Sequence, residues 1–325
     1  MIKCTVSHIH ETVKLGRNVT IVSDDISIGE GTEIGDNATI IAYEKLVIGK
    51  FCKIRSNARF KARSIEIGDF FYSNDNPRPL IIGGGGSDRP TARIKIGNRC
   101  VMHDSFINVF MPVTIGDDVG LSPSSDILTH GFWGSVLDGY SGKFGPVTIK
   151  SGTIIGYRAI IMPNVIIGEH ANIGAGAIVT KDVPDFSVVA GVPAKVIAGP
   201  PDYPKKLSAK ERKSMCWQLT MQYAGLLKDK IDRVKVESTS KIITITGQYE
   251  NEDFSIEYTD GFFLVKQGWR VFAINVISKI NWFGNDSAIS DDLRDFLRHF
   301  GIRIFSRWFK SIPPKIKVRL EGDTE

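Results

Sequence analysis

From Ile149 to Val179 the chain reads IKSGTIIGYRAIIMPNVIIGEHANIGAGAIV. Every sixth residue of that stretch (Ile149, Ile155, Ile161, Ile167, Ile173 and Val179) is a branched aliphatic, and glycine follows at Gly156, Gly168 and Gly174. Four residues after each aliphatic stands Thr153, Ala159, Val165, Ala171, Ala177 or Val183, all small or β-branched. Neither common element fits this spacing. An α-helix turns every ~3.6 residues and would smear a six-residue period over several faces. An amphipathic strand would alternate at every second residue throughout. Short flat strands joined by tight corners do fit, with each aliphatic pointing inward and the chain coiling into a parallel β-helix. In this reading the glycines supply backbone angles that other residues resist at a corner.

Upstream, hexads recur at Ile28, Ile34 and Ile40, with Gly29 and Gly35, and again at Ile48, Ile54, Ile67 and Ile96. Their register is broken, so loops must leave the coil between them. Met1 to Thr20 has no clear period; His8 and His10 alternate there as polar residues of a strand-like stretch. The largest loop expected is Tyr72 to Arg93, with Pro77, Pro79, Pro90 and four consecutive glycines, Gly83 to Gly86. The glycine run lacks the trailing Lys-Ser/Thr of a phosphate-binding loop and reads as a flexible linker.

The hexads resume at Ile115, Leu121 and Ile127 and stop again for LTHGFWGSVLDGYSGKFGP, Leu128 to Pro146. Loops held on a rigid scaffold carry function. This one opens with His130 and then brings Phe132, Trp133, Tyr140 and Phe144. These aromatics could form a local mini-core or the wall of a sugar site; the adjacent histidine favours the wall, with Phe132, Trp133 and Tyr140 as candidate acceptor contacts.

The coil should end near Val189, and Gly199-Pro200-Pro201 marks a boundary. Two domains follow, residues 1–200 and 201–325. The second reads as a small α+β domain of about 120 residues, large enough for its own core. Ser208 to Glu211 is a capping box opening a helix towards Ile231. Strands are expected at Ile242–Thr246, Phe254–Tyr258, Phe262–Val265 and Val271–Ile277, with a hairpin turn at Thr259-Asp260-Gly261. Ser290 is placed to cap a short helix ending before Gly301. Arg303 to Arg319 is basic without an intervening acid; with Trp269, Trp282 and Trp308 it suggests a surface for a large anionic acceptor, an oligomer contact, or a cap over the end of the coil.

The formal charge of +5 on 325 residues is modest; it makes no case for nucleic acid and suits an anionic substrate or coenzyme. Cys4, Cys52, Cys100 and Cys216 lie far apart. Cys52 and Cys100 fall four residues after Ile48 and Ile96, the small inward slot of the hexad, and read as buried thiols. The first residues contain no apolar core of signal-peptide length, and no run reaches the ~18 apolar residues of a membrane span, so a cytoplasmic protein without a transmembrane segment is expected.

The hexad run continues as TKDVPDFSVVAGVPAKVI, Thr180 to Ile197. Together they resemble the left-handed β-helix (hexapeptide-repeat) acyltransferases of the galactoside and maltose acetyltransferase type, and among them the O-acetyltransferases of bacterial surface glycans. The resemblance is specific over Val113 to Ile197, looser over Ile21 to Pro112, and absent after Pro201. It implies a left-handed coil of triangular section, a homotrimer with interfacial active sites, acetyl-CoA as co-substrate and a carbohydrate acceptor. Ile-Leu-Thr-His-Gly resembles the catalytic-histidine stretch of the glycan acetyltransferases, which makes His130 the candidate base; imidazole titrates near neutrality. Its other ring nitrogen needs an acceptor, for which Asp126, Asp118 or Asn108 are at hand. His103 is a rival base, and His170 should be a solvated corner residue. The resemblance places Tyr157, Ala175, Thr180, Lys181 and Lys195 along the coenzyme. Lys195 stands where several relatives have arginine, Tyr157 where the residue is often small, and Ile154 where tryptophan is frequent.

The expected activity is acetyl transfer to a sugar hydroxyl of a bacterial surface polysaccharide (capsule, O-antigen or exopolysaccharide) or its precursor, with N-acetylation of a nucleotide-linked amino sugar as the alternative. A β-helix zinc enzyme would need a second histidine soon after the first; Gly131 to Ile166 has none, so no metal is expected. A non-enzymatic scaffold would have no use for His130.

Overall fold

The structure is a computed structural model that describes residues 1–74, 78–131, 134–276, 282–284 and 287–298. The chain divides into two compact units, Met1–Lys205 and Lys206–Glu325.

In the first unit the inward aliphatics stack in three columns, one per face of a coil, and three hexads make one turn. On the first face Ile9, Ile28, Ile48, Ile67, Ile96, Ile115, Ile149 and Ile167 lie in parallel register. The second face carries Met102, Leu121, Ile155, Ile173 and Val189. The third carries Ile40, Phe60, Ile82, Ile107, Ile127, Ile161 and Val179. The second face has nine parallel strands from Lys14–Leu15 to Val188–Gly191, hence nine coils. The unit is a parallel β-helix, consistent with the left-handed type that the resemblance implies. Ile155, Ile161 and Ile167 are fully buried; burying such a side chain stabilises by about 1.5–3 kcal/mol, so the columns supply the main favourable contribution.

The hexad glycines serve a different end from the one expected. Gly156 and Gly168 do not adopt left-handed angles. A Cβ at Gly156 would stand 2.5 Å from the Ile173 carbonyl oxygen, and one at Gly168 would strike Asp185 and Pro184 backbone in the next coil. Glycine is needed there because neighbouring coils pass too closely for a side chain. The left-handed corner angles fall instead on residues such as Asn37 (φ 58°), Asn57 (φ 62°) and Asn164 (φ 64°), a conformation asparagine tolerates better than most residues.

The slot four residues after the first-face aliphatic also has a polar role. Thr32 and Thr153 hydroxyls donate to the carbonyls of Gly49 and Gly168, at 2.8 and 2.9 Å. Cys52 and Cys100 thiols do the same to Gly68 and Gly116, both at 3.1 Å. Both cysteines are buried, and burial pushes the Cys52 thiol up to about 12, so it remains a protonated donor.

Two regions read as irregular are part of the coil. Ile2–Lys3, Val6–Ile9 and Lys14–Leu15 pair in parallel with the next turn; their side chains are mostly exposed, which removes the hydrophobic period. Within Tyr72 to Arg93, Tyr72–Ser73 and Ile81–Gly83 are coil strands on the second and third faces. Pro77 lies outside the described residues. At the far end Val188–Gly191 is met by an antiparallel strand, Ala194–Ala198.

The second unit is α+β. Helix α1, Ala209–Lys230, opens with the reciprocal Ser208–Glu211 capping box. A six-stranded antiparallel meander follows, with Ile242–Tyr249, Glu252–Thr259, Phe262–Gln267 and Arg270–Asn275 at its centre. Lys235–Ser238 adds an edge strand that its mostly polar sequence hides. Asp260 (φ 51°) and Gly261 (φ 85°) make the two-residue hairpin turn. Tyr223, Leu227, Ile245, Ile256, Phe263 and Leu293 belong to one core. Helix α2 spans Ala288–Arg298. Its cap is Ser287, whose hydroxyl accepts the Ser290 N–H at 3.2 Å, while Ser290, the expected cap, answers Ser287 N–H from inside the first turn. Trp308 and the basic stretch from Arg303 lie outside the described residues, as does the Trp282 side chain. Among the described residues no helix is long and apolar enough to cross a membrane.

Ile166 is exposed and Ile167 fully buried. Ile167→Ala should therefore lower unfolding stability by about 2–5 kcal/mol, and Ile166→Ala by less than ~1 kcal/mol, read as a shift of the denaturant midpoint. Equal losses would contradict the inward columns.

Candidate functional site

Ile127 sits in the third-face column between Ile107 and Ile161. The chain leaves the coil just beyond it, at the corner between the third and first faces. Leu128 N–H still donates to the Ile161 carbonyl at 2.9 Å, and Thr129 is fully buried. His130–Gly131 then pairs antiparallel with Lys143–Phe144, and the coil resumes at Val147–Ile149. Gly145 N–H donates to the Thr129 carbonyl at 3.1 Å and closes the neck. His130 thus stands on a pinned ribbon at the mouth of the loop.

Asn108 is the residue that holds it. It lies on the preceding coil, is buried, and its Oδ1 is 2.8 Å from His130 Nδ1. The orientation of the amide follows from its backbone partners. Phe110 N–H can only donate, and it meets Oδ1 at 3.3 Å; the Gly83 carbonyl can only accept, and it meets Nδ2 at 3.5 Å. Thr129 Oγ1 also donates to Oδ1. The carbonyl oxygen therefore faces His130, Nδ1 is the donor, and the basic lone pair is on Nε2.

Three successive coils build this arrangement: Gly83 pairs with Asn108, and the strand carrying Asn108 pairs with the one leading to His130. The glycine run is not a loose linker. Gly83 is a strand residue; Gly84 (φ 104°) is so close to Asn108 that a Cβ would stand 2.5 Å from Nδ2. Gly86 (φ 77°) lies under the Phe110 ring. Phe110, missed from the sequence because it follows no hexad, has its ring 4.7 Å from that of His130, and Phe144 lies 6.2 Å away on the other strand of the ribbon. The Arg89 guanidinium stands 4.5 Å over Phe110. Partial burial lowers the His130 pKa below its ordinary value, which favours the neutral imidazole.

The other candidates are placed elsewhere. Asp126 accepts the Phe106 N–H at 3.2 Å, and burial raises its pKa. Asp118 pairs with Arg99 at 2.7 Å. His103 is on the corner between the second and third faces, with Nδ1 3.3 Å from Asn74 Nδ2. His170 is an exposed corner residue, as expected, and its ring stacks on Phe186 at 5.2 Å. Tyr140 is 63 % exposed at the loop tip and packs on Gly134. Phe132 and Trp133 lie outside the described residues.

The five coenzyme candidates fall into two sets. Thr180 and Lys181 follow the strand Ile178–Val179, whose register through Ile161 to Ile127 puts them on the corner of His130, two coils on. Two strand spacings are about 10 Å. Tyr157 and Ala175 occupy the opposite end of the third face, linked by the Gly176 N–H to Tyr157 carbonyl bond at 2.8 Å. Lys195 pairs with Ala190, which lies against Gly174 beside that same corner. The five residues from Ala175 to Thr180 separate the sets by roughly 15 Å. Ala175, Lys181, Lys195 and Tyr157 are all exposed. Among the described residues no three His, Cys, Asp or Glu side chains group as a metal site.

Residues 146–181 match the family described as bacterial transferase hexapeptide (six repeats). Over these residues the coil carries hexapeptide repeats of the kind described for bacterial transferases. The chain is 42 % identical over 90 residues to galactoside O-acetyltransferase of Escherichia coli (strain K12), covering 26 % of this chain and 43 % of the relative. It is 43 % identical over 54 residues to dTDP-3-amino-3,6-dideoxy-alpha-D-galactopyranose 3-N-acetyltransferase of Aneurinibacillus thermoaerophilus, covering 17 % and 28 %. The chain thus spans less than half the length of these relatives. A solved structure of galactoside acetyltransferase in complex with coenzyme A is similar at 30 % identity over 44 % of this chain and 68 % of that one, with a TM-score of 0.36.

In a proton-NMR titration, His130 should titrate below the ordinary ~6.5 of histidine. Asn108→Asp places a negative charge against Nδ1, which favours the imidazolium and should raise the His130 pKa. An unchanged or lowered value in a folded Asn108→Asp protein would break the assigned contact.

Proposed function

We propose that the hexapeptide-repeat unit transfers an acetyl group from acetyl-CoA to a sugar hydroxyl of a bacterial surface polysaccharide or its precursor, with His130 as general base. The observation that carries this reading is the Asn108–His130 contact, which holds Nδ1 as the donor and leaves Nε2 as the basic nitrogen of the neutral ring. A hydroxyl is a poor nucleophile until its proton is removed in the transition state. His130 Nε2 takes that proton as the sugar oxygen attacks the thioester carbonyl. The tetrahedral intermediate collapses by breaking the carbon–sulfur bond. The imidazolium returns its proton to the departing thiolate, leaving the acetyl ester, free thiol and neutral His130. Asn108 keeps the ring in one tautomer without adding a charge. Asp126, engaged by the Phe106 N–H, has no part in this reading.

Phe144 and Phe110 supply aromatic faces beside His130, and Phe132, Trp133 and Tyr140 stay the candidate acceptor contacts of the same loop. On the coenzyme side, Ala175 and Thr180 line the pantetheine, while Lys181 and Lys195 meet the phosphates as point charges. The separation of the two sets on different corners of one coil supports a homotrimer in which neighbouring copies complete each site. N-acetylation of a nucleotide-linked amino sugar is the second reading, favoured by the likeness to the dTDP-amino-sugar N-acetyltransferase.

Thiol release from acetyl-CoA over a panel of free sugars, nucleotide sugars and polysaccharides tests the reading; activity confined to amino sugars would select the second one. His130→Ala should lose about 10²–10⁴ in turnover and still bind acetyl-CoA, and near-normal turnover in the folded variant would end this mechanism. Mixing His130→Ala protomers with Lys181→Ala, Lys195→Ala protomers should restore part of the activity. A monomeric mass in light scattering would defeat the trimer.

A further inference from the structure

The second unit has an open groove of about 570 Å³ bounded by α1, the turn before Ile242, and the hairpin at Asp260. Lys210, Lys213, Ser214 and Trp217 recur at helical spacings of three, four and seven, so one face of α1 forms a wall. Lys241 and Ser240 approach from the turn, and Thr259 from the hairpin. The groove therefore combines cations, hydroxyls and an aromatic ring.

Its charge is one-sided. Among the described residues Asp260 is its only acid, and Lys213 Nζ pairs with it at 2.6 Å. Lys210 and Lys241 are in no ion pair among the described residues, which leaves two positive charges on opposite walls. Trp217 is half-buried and packs edge-on to Tyr258 at 6.2 Å between ring centres. Tyr258 is buried, and its hydroxyl reaches the Lys213 carbonyl at 3.5 Å. The indole is thus held in place with part of its surface facing the groove. A fixed indole stacks against the C–H face of a sugar ring, hydroxyl side chains exchange hydrogen bonds with sugar hydroxyls, and ammonium groups pair with carboxylates.

We propose that this groove binds an anionic oligosaccharide, with Trp217 against a sugar ring and Lys210 and Lys241 pairing with its carboxylates. It is a holding site for a negatively charged acceptor, carried by the second unit while His130 belongs to the first. This names the acceptor class and rests on the acetyltransferase reading for its use, while the binding itself does not. Trp308 and the basic stretch picked from the sequence lie outside the described residues; Trp217, Lys210 and Lys241 sit in a helix and a turn that only the folded meander brings together.

The test is fluorescence anisotropy with the full chain and a labelled galacturonic-acid hexamer, against labelled maltohexaose, anionic phospholipid vesicles and single-stranded DNA of matched charge. The wild type should bind the uronate hexamer at least about tenfold more tightly than each of the others. The Lys210→Ala, Lys241→Ala variant should lose about tenfold or more, and Trp217→Ala should also weaken binding. Both lysines are exposed, so the lysine variant decides the matter even if Trp217→Ala fails to fold. His130→Ala should bind as the wild type does. No binding by the wild type, equal binding by the lysine variant, or equal or tighter binding of maltohexaose, vesicles or DNA would overturn the proposal. Lysine-dependent uronate binding in a protein that acetylates nothing would retain the site and remove the transferase reading.

Discussion

The stacking of inward aliphatics, one per face per coil, is the constraint from which the first unit follows. Parallel strands repeat every ~4.8 Å, so Ile115, Ile149 and Ile167 can touch only if the turns between them have equal path length or expel the excess at a corner. Close approach then dictates glycine at Gly156 and Gly168, and a hydrogen-bonding side chain in the slot of Thr32, Cys52, Cys100 and Thr153. Excess chain emerges where it disturbs no column. The segment after Gly83, the bend at Phe110 and the loop from His130 leave consecutive coils at one corner, and that coincidence creates the site.

Within the site the electrostatics depend on an amide. A carboxylate against Nδ1 would hold His130 partly protonated near neutrality. Asn108 gives the same geometric hold without the charge, and partial burial of the ring then favours its neutral form. The amide is itself fixed by backbone groups of Phe110 and Gly83, so the tautomer of the histidine is set by the coil and not by a mobile side chain. Gly84 belongs to the same set: any side chain there would push Asn108 out of place.

The second unit is built on ordinary local rules. A capping box starts α1, a two-residue turn with positive φ at Asp260 and Gly261 sets the register of its hairpin, and strand alternation fills the core. Its polar surface is less ordinary. The groove of Lys210, Trp217 and Lys241 adds a cationic, aromatic surface to a chain whose coil holds the Asn108–His130 contact.

The hexads, the capping box and the hairpin turn were legible in the sequence because each is a local rule repeated or spaced by backbone geometry. They determined the coil, its approximate end and the type of the second unit. His130 was legible because a histidine at the point where a strict period breaks has no column to join. Asn108 could be named only as one of several acceptors, since Asp126 is much nearer in sequence and carries the stronger charge. Register decided between them: Asn108 stacks one coil below the His130 corner, while Asp126 is taken by the Phe106 N–H. The glycine run and Phe110 gave no periodic signal, and the exposed first coil hid its strands for want of apolar side chains. Those placements, the split of the coenzyme candidates between two corners and the basic groove were decided by tertiary structure, because each joins residues whose separation in sequence is set by how many coils or strands the chain makes between them.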